Sequence, residues 1–396
     1  MSSFTLTNDQ YCGLAKLEKW YKKASHQTIE ISGVVGTGVW QLLQKFLDYT
    51  DLNMKEVMYL SYDQKQVLEL ASRRYHAYYI NGVIYNYTRN VNFDSLSVIN
   101  PHSNELEYVW KKDVKKKIDV RYKLIVVFDS ILLDEKTLRD LSSFGLPIIL
   151  LRDPMLIPSA TGYTFFRDAN INLNELHSEL IRNPIVYFAN KVLYNEKFKY
   201  GNYDSVNVIP RKQMNLYNLK SSDMVLTITS DTSKQINDIY REKIMKFRSI
   251  INWPNERMIC MSDMYAHRLV NKDEKKIKIY LTKGLVGYLG RCNRHAITTK
   301  YVPVDFRPEF YYDTFTDLVM DRHYLNKINP PCRQIIPDEI TYFDYAYALS
   351  VPMARISHWD KVTMILDPNE EYDPELQKRL IYTGITRAHK SLNIIF

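Results

Sequence analysis

Apolar positions along the chain keep two alternating rhythms. Between residues 8 and 24 they fall at helical spacing (Tyr11, Leu14, Leu17, Trp20, Tyr21), Thr28–Ile31 is a short β-rich run ending at Gly33, and Val39–Tyr49 returns to the helical period. Val57–Leu60 reads as a second strand and Gln64–Arg74 as the helix after it. The near-continuous runs Leu124–Phe128 and Leu146–Leu151 suit strands covered on both faces, as parallel sheets require. Residues 86–122 are polar, with an Asn-Pro step and a lysine-rich run at Lys111–Lys117, and read as a projecting insertion. A second α/β block opens near Leu173 with a helix at Asn183–Leu193, a strand at Met224–Thr229 and a helix at Ser233–Arg248. After about Tyr265 the pattern changes to short strands, among them Ile277–Leu281 and Val286–Leu289 around Lys283 and Gly284, as in a small β-barrel-like insert. The α/β character returns at Phe343–Leu349, Val362–Leu366 and Leu392–Phe396. The pattern therefore predicts an α/β protein with parallel sheets. Its first lobe covers 1–85 and 123–172 with the insertion 86–122, and its second covers 173–264 and 341–396 with the β-rich insertion 265–340.

Composition narrows the class without naming a function. At 396 residues, 45% hydrophobic and 25% charged, the chain is ordinary globular material of two to three domains, which excludes a collagen or a disordered tail. Its apolar runs fall far short of the roughly 20 residues of a membrane crossing, and its N-terminus lacks a basic-then-apolar leader. A cytoplasmic protein without a membrane partner is expected. Cys12, Cys260, Cys292 and Cys332 lie far apart with no C-x-x-C pair, so neither a zinc site nor a disulfide framework is expected. Lys+Arg 53 against Asp+Glu 45 leaves +8, which favours anionic partners such as nucleic acid. The 31 tyrosines either stack on bases or serve as ordinary filler.

One glycine cluster carries candidate chemistry. Gly33-Val34-Val35-Gly36-Thr37-Gly38-Val39-Trp40 follows a strand and opens a helix, with Gly33 and Gly38 at the G-x-x-x-x-G spacing of a Walker A loop. A working loop continues with a lysine for the β/γ-phosphates and a serine or threonine for Mg²⁺. Here those two positions are Val39 and Trp40. Valine carries no charge, and an indole cannot ligate a hard cation.

The chain resembles the Dda-like and RecD-like 5′→3′ DNA helicases of superfamily 1, particularly phage-encoded members, in an ordered series of motifs over nearly its whole length. Leu6-Thr7-Asn8-Asp9-Gln10 matches the opening Q motif, and Ser61–Leu70, with Lys65, matches a segment that contacts single-stranded DNA. Lys123–Val127 leads into the Walker B position; Leu150–Pro158 resembles motif III and Asn174–Pro184 motif IV. Phe343–Lys361 resembles motif V, and Leu380–Ala388 resembles motif VI. The resemblance implies two RecA-like lobes of P-loop NTPase type, ATP and Mg²⁺ as the family's cofactors, and DNA, mainly single-stranded, as partner, with a replisome or recombination protein as a further one. A phage-infected bacterial cytoplasm is the implied setting.

The departures from the family pattern bear on activity. Phe128 stands where the family has its Mg²⁺-binding aspartate, and Asp129 where it has the glutamate that activates water. The γ-phosphate-sensing glutamine of motif III is Leu156, and the His-Arg-Gln of motif IV is His177-Ser178-Glu179. Motif V reads Pro352-Met353-Ala354-Arg355-Ile356; motif VI keeps Thr386 and the arginine, Arg387. Phosphoryl transfer is mostly positioning and charge neutralisation, so several such losses remove the reaction. The expectation is a pseudo-helicase with no catalytic set intact, no cofactor and no metal, and vestigial nucleotide positions at Gln10, Gly33, Gly36, Thr37 and Gly38. Gln10 either reads adenine or makes local hydrogen bonds. Lys65, His358, Trp359 and Thr386 are the DNA candidates, with packing beneath the last strands as the other role for Trp359. Two alternatives stay open: an active ATP-dependent helicase using substitutes such as Arg152, and a pure protein-interaction module.

Overall fold

The computed structural model describes residues 5–23, 28–50, 52–88, 97–99, 106–108, 111–114, 118–158, 169–247, 255–261, 264–270, 275–281, 283–292, 301–309, 314–321, 340–367 and 372–396. The chain divides into two compact units, Met1–Ile84 with Val114–Thr232 and Ser350–Phe396, and Tyr85–Asp113 with Ser233–Leu349.

The first unit contains two α/β lobes of RecA-like type, each built on a mostly parallel sheet. Strands β1 (Thr28–Gly33), β2 (Val57–Ser61), β3 (His76–Tyr79), β4 (Leu124–Val127), β5 (Ile148–Arg152) and β6 (Ile171–Leu173) form the first sheet in the order β6-β1-β5-β4-β2-β3, with every pairing parallel. All the residues of β2, β4 and β5 are buried, which explains why those stretches read as unbroken apolar runs. Helices α1 (Asn8–Lys23) and α2 (Val39–Tyr49) cover β1, and their buried Leu14, Leu17, Leu42, Leu43 and Phe46 share one core with Ile29 and Ile31. Because every pairing is parallel, the loops leaving β1, β4 and β5 share one carboxyl edge. That edge is where an open parallel sheet presents a ligand site.

The second sheet runs β7-β8-β12-β11-β9-β10, with β7 at Gly201–Tyr203, β8 at Val206–Ile209, β9 at Met224–Thr227, β10 at Ala348–Ser350, β11 at Trp359–Ile365 and β12 at Ala388–Ile395. The pairings of β8 with β12, β12 with β11 and β11 with β9 are parallel, and the β7–β8 hairpin at the edge is antiparallel. The expected strand Met224–Thr229 stops at Thr227, because Asp367 accepts hydrogen bonds from Ile228 N (2.8 Å), Thr229 N (3.2 Å) and Thr229 Oγ1 (2.5 Å) and so pulls the chain out of the ladder.

The second unit is dominated by an antiparallel sheet. Its path runs Lys275–Leu281, Met264–Val270, Phe315–Asp321, Tyr301–Pro308, Val286–Cys292, Arg257–Cys260 and Phe343–Tyr345. Phe306, Phe315, Phe343, Leu289 and Met258 lie in its core. The stretch Phe343–Leu349 holds two short strands, because Ala346 N and Tyr347 N turn away to Arg257 O and Asn237 Oδ1. Short strand pairs occupy part of the expected insertion 86–122; Lys115–Lys117 and Cys332 lie outside the described residues. Among the described residues no helix is long and apolar enough to cross a membrane.

Candidate functional site

The glycine loop at the carboxyl end of β1 is held from four directions, by three side chains and one backbone N–H. Gly36 and Gly38 have φ of 98° and 77°, a left-handed conformation that side chains rarely adopt. A Cβ on Gly33 would fall 2.3 Å from Thr37 Oγ1, so Gly36 and Gly38 are favoured by backbone shape and Gly33 by the close approach of a neighbouring side chain. Thr37 Oγ1 closes the turn on Val34 O at 2.8 Å. Gln10, fully buried, accepts from Thr7 N at 2.9 Å and donates to Thr37 O and Gly38 O at 2.8 and 3.3 Å. Both ends of the Gln10 amide are thus engaged in the protein, locally and with the loop. Asn190, on helix α5 (Pro184–Leu193), donates to Val35 O at 3.0 Å, and His177 N donates to Gly36 O at 2.8 Å.

The fourth contact takes a donor rather than an acceptor. Tyr382, on helix α6 (Pro374–Ile385) of the second lobe, accepts from Val35 N at 2.8 Å and donates to Asp153 Oδ2 at 2.5 Å. Backbone N–H groups of such a loop are the usual phosphate donors, and here a tyrosine oxygen has one of them. Burial raises the Asp153 carboxyl to about 6, although the Tyr382 hydrogen bond pulls the other way. The same helix makes two more ties to the segment after β5: Ile157 N donates to Thr383 Oγ1 at 3.1 Å, and Arg379 Nη1 donates to Pro154 O at 2.7 Å. Leu156 lies buried inside this segment.

Beside the loop, aromatic side chains pack together. Trp40, in the first turn of α2, lies 5.5 Å from the Phe128 ring, 6.0 Å from Tyr75 and 6.3 Å from Tyr59. Phe128 is held in place by its N–H bond to Leu60 O at 2.9 Å. A cavity of about 340 Å³ remains, bordered by Gly33, Val39, Trp40, Phe128, Asp129 and Asp153 among others. Asp129 sits at its wall with a left-handed backbone (φ 47°). Burial pushes its carboxyl up while Arg387 opposes the rise.

Arg152 and Glu30 lie on the neighbouring strands β5 and β1. Arg152 Nε is 3.5 Å from Glu30 Oε1, and Ser130 Oγ donates to the same oxygen at 3.3 Å. Both members of the pair are buried, and desolvation raises the Glu30 pKa against the pull of Arg152 and Ser130. Across the two strands, Arg152 therefore faces Glu30 of β1.

The candidate DNA residues fall in different surroundings. Arg387 is buried, and its guanidinium donates to Thr383 O (3.3 Å), Arg355 O (2.9 Å) and Thr386 Oγ1 (3.3 Å). Thr386 ends α6 and donates to Thr383 O at 2.9 Å. Trp359 is 2% exposed and packed in the second lobe. Lys65 and His358 meet: Lys65 Nζ donates to His358 O at 3.2 Å, and His358 Nδ1 pairs with Asp63 Oδ2 at 2.6 Å. Asp63 also caps helix α3 (Gln64–Ser72) through its other oxygen, which accepts from Lys65 N at 2.8 Å. His358 stacks on His389 at 4.1 Å.

No protein-family model matches the chain, and no curated protein matches it. Among solved structures, the Pif1 helicase from Candida albicans is similar over 99% of this chain and 94% of that chain, at 11% identity and a TM-score of 0.43. Pif1 from Bacteroides in complex with ADP-AlF3 and ssDNA is similar over 98% and 92%, at 13% identity and a TM-score of 0.43. Likenesses this loose say nothing of activity, and the RecA-like architecture rests on the strand orders given above.

Sequence reasoning missed Tyr382, Glu30, Asn190, Asp63 and His389 as members of the site. Glu30 left a signal, as the one charged residue within the run Thr28–Ile31. Tyr382 lies inside the stretch Leu380–Ala388, whose letters alone do not mark the tyrosine as a contact of the loop. The others touch the site through contacts between residues far apart in sequence, which spacing does not reveal.

Proposed function

We propose that the protein is a catalytically degenerate helicase-like protein that acts by binding DNA, mainly single-stranded, or a replication or recombination partner, without hydrolysing ATP. The residues at the loop do not fit a magnesium nucleoside triphosphate. The observation that carries this reading is the Trp40–Phe128 contact, which puts two apolar rings beside the glycine loop where a metal-binding hydroxyl and carboxylate are needed. The engagement of Val35 N by Tyr382 points the same way. Gln10, Gly33, Gly36, Thr37 and Gly38 are then loop-building residues, and Val39, Leu156 and Arg387 are structural. In this reading the lobes are 1–85 with 123–172 and 173–264 with 341–396, carrying insertions at 86–122 and 265–340, and the setting is the cytoplasm of a phage-infected bacterium.

A second reading, a protein-interaction module that has abandoned DNA, is favoured by the occupation of the candidate DNA residues. Lys65 and Thr386 make internal hydrogen bonds, and Trp359 is buried. One pair of titrations addresses both. Fluorescent ATP with Mg²⁺ is expected to show no micromolar binding; such binding, or DNA-stimulated phosphate release lost in Arg387→Ala, would overturn the degenerate reading. Oligo-dT is expected to bind with an affinity that falls steeply with salt, as phosphate-led binding does. Absence of binding at low salt would leave the interaction module.

A further inference from the structure

We propose that Glu69, His358 and His389 form a site for one divalent transition-metal ion of the zinc class, joining the two lobes of the first unit. Glu69 lies on α3 of the first lobe, while His358 and His389 lie just before β11 and on β12 of the second. One ligand atom from each lies within 4.8 Å of the other two. Imidazole and carboxylate together are the donor set that zinc-class ions take, and three protein donors leave a fourth position for water.

The orientation of His358 is the second observation. Its Nδ1 is 2.6 Å from Asp63 Oδ2, which as a carboxylate accepts the ring proton. That bond directs the Nε2 lone pair towards Glu69 Oε1, 3.4 Å away. A carboxylate behind one ring nitrogen with the other nitrogen free for the ion is the arrangement that orients a metal-bound histidine. Asp63 is itself fixed by capping α3, so His358 is held before any ion arrives. His389 is exposed, with its ring stacked 4.1 Å from that of His358, so the ion would enter from the His389 side.

Charge around the cluster is compatible with a cation. Asp63 and Glu69 contribute negative charge, and Asp360 lies nearby, held by Lys390 at 2.8 Å. Lys65 is the opposing group; its Nζ donates to His358 O, 3.2 Å away. The competing arrangement is metal-free, with His358 hydrogen-bonded to both Asp63 and Glu69. None of the three ligands belongs to the glycine loop, although Glu69 also borders the cavity beside it.

The test uses the full chain, stripped with chelator and titrated with Zn²⁺ and with Co²⁺. One equivalent of Zn²⁺ is expected to bind at micromolar or lower concentration and to raise the thermal midpoint, and Co²⁺ is expected to give visible d–d absorption. His389→Ala, at an exposed position, and Glu69→Gln are each expected to weaken Zn²⁺ binding at least tenfold while leaving the metal-free midpoint close to wild type. Asp63→Asn is expected to weaken it by about 10–100-fold. No stoichiometric binding to the wild-type chain, or binding unchanged in both His389→Ala and Glu69→Gln, would overturn the site.

Discussion

A carboxylate with one guanidinium and one hydroxyl for company sits between strands of the first sheet, and its surroundings make it sensitive to substitution. Glu30 is buried, its Oε2 has no hydrogen-bond partner among the described residues, and Arg152 faces its other oxygen at 3.5 Å. Removing one partner of a buried pair leaves an uncompensated charge, which typically costs about 3–5 kcal/mol. Arg152→Met is therefore expected to lose about 3 kcal/mol at neutral pH, read from urea denaturation. The loss should shrink as pH falls, because folding already favours the neutral form of Glu30 and acid supplies the proton. The double variant Glu30→Gln/Arg152→Met should recover most of the loss at neutral pH. Equal destabilisation at all pH values would show that the cost lies in packing instead of charge. Trp40 shows a complementary logic: its indole is half-buried and in contact with three aromatic rings, so the residue least suited to a phosphate site is well suited to a stable one.

At the scale of elements, the segment after β5 and helix α6 act as a latch whose strength depends on the protonation of Asp153. Burial raises that carboxyl from an ordinary value near 3.8 to about 6. A raised value means that folding favours the neutral form. That contribution is complete below about pH 4 and is lost as pH rises through about 6, and the ionised group then opposes the fold by at most about 3 kcal/mol. Asp153→Asn keeps an oxygen for the bond from Met155 N (2.9 Å) and removes the charge. Its stability relative to wild type is expected to rise between about pH 4 and pH 7, measured as the difference in urea midpoints; a flat difference would assign no role to ionisation. The elements themselves were largely legible. Val39–Tyr49 is the helix its periodicity predicts, and the runs at β4 and β5 are strands because burial on both faces demands continuous apolar residues. What periodicity does not carry is a distant competitor for the backbone. Asp367 ends β9 from 138 and 139 residues away, and Tyr382 reaches Val35 across 347. The loop was visible from its glycines; its occupants were not.

For the two lobes taken together, the question is whether they come apart as an active motor's must. The ties between them are numerous: Tyr382 to Val35 and Asp153, Thr383 to Ile157, Arg379 to Pro154, Asn190 to Val35, and His358 to Asp63. Each such bond contributes only about 0.5–1.5 kcal/mol net, so no single one decides the matter. Three of the five residues from the second-lobe side lie on α6 and act on one short stretch of the first lobe and its glycine loop. Their joint loss should therefore change how the lobes unfold more than how stable either is alone. Native-state hydrogen exchange in low urea separates them, because Val126 lies in the core of the first sheet and Ile394 in that of the second, both fully buried. In the wild type the amides of these two strands are expected to respond to urea with one common slope, as members of one cooperative unit. In Tyr382→Phe/Arg379→Ala the two slopes should separate, with the Val35 amide exchanging faster than either. Separate slopes already in the wild type would mean that the lobes open independently, and the ties made by α6 would not couple them.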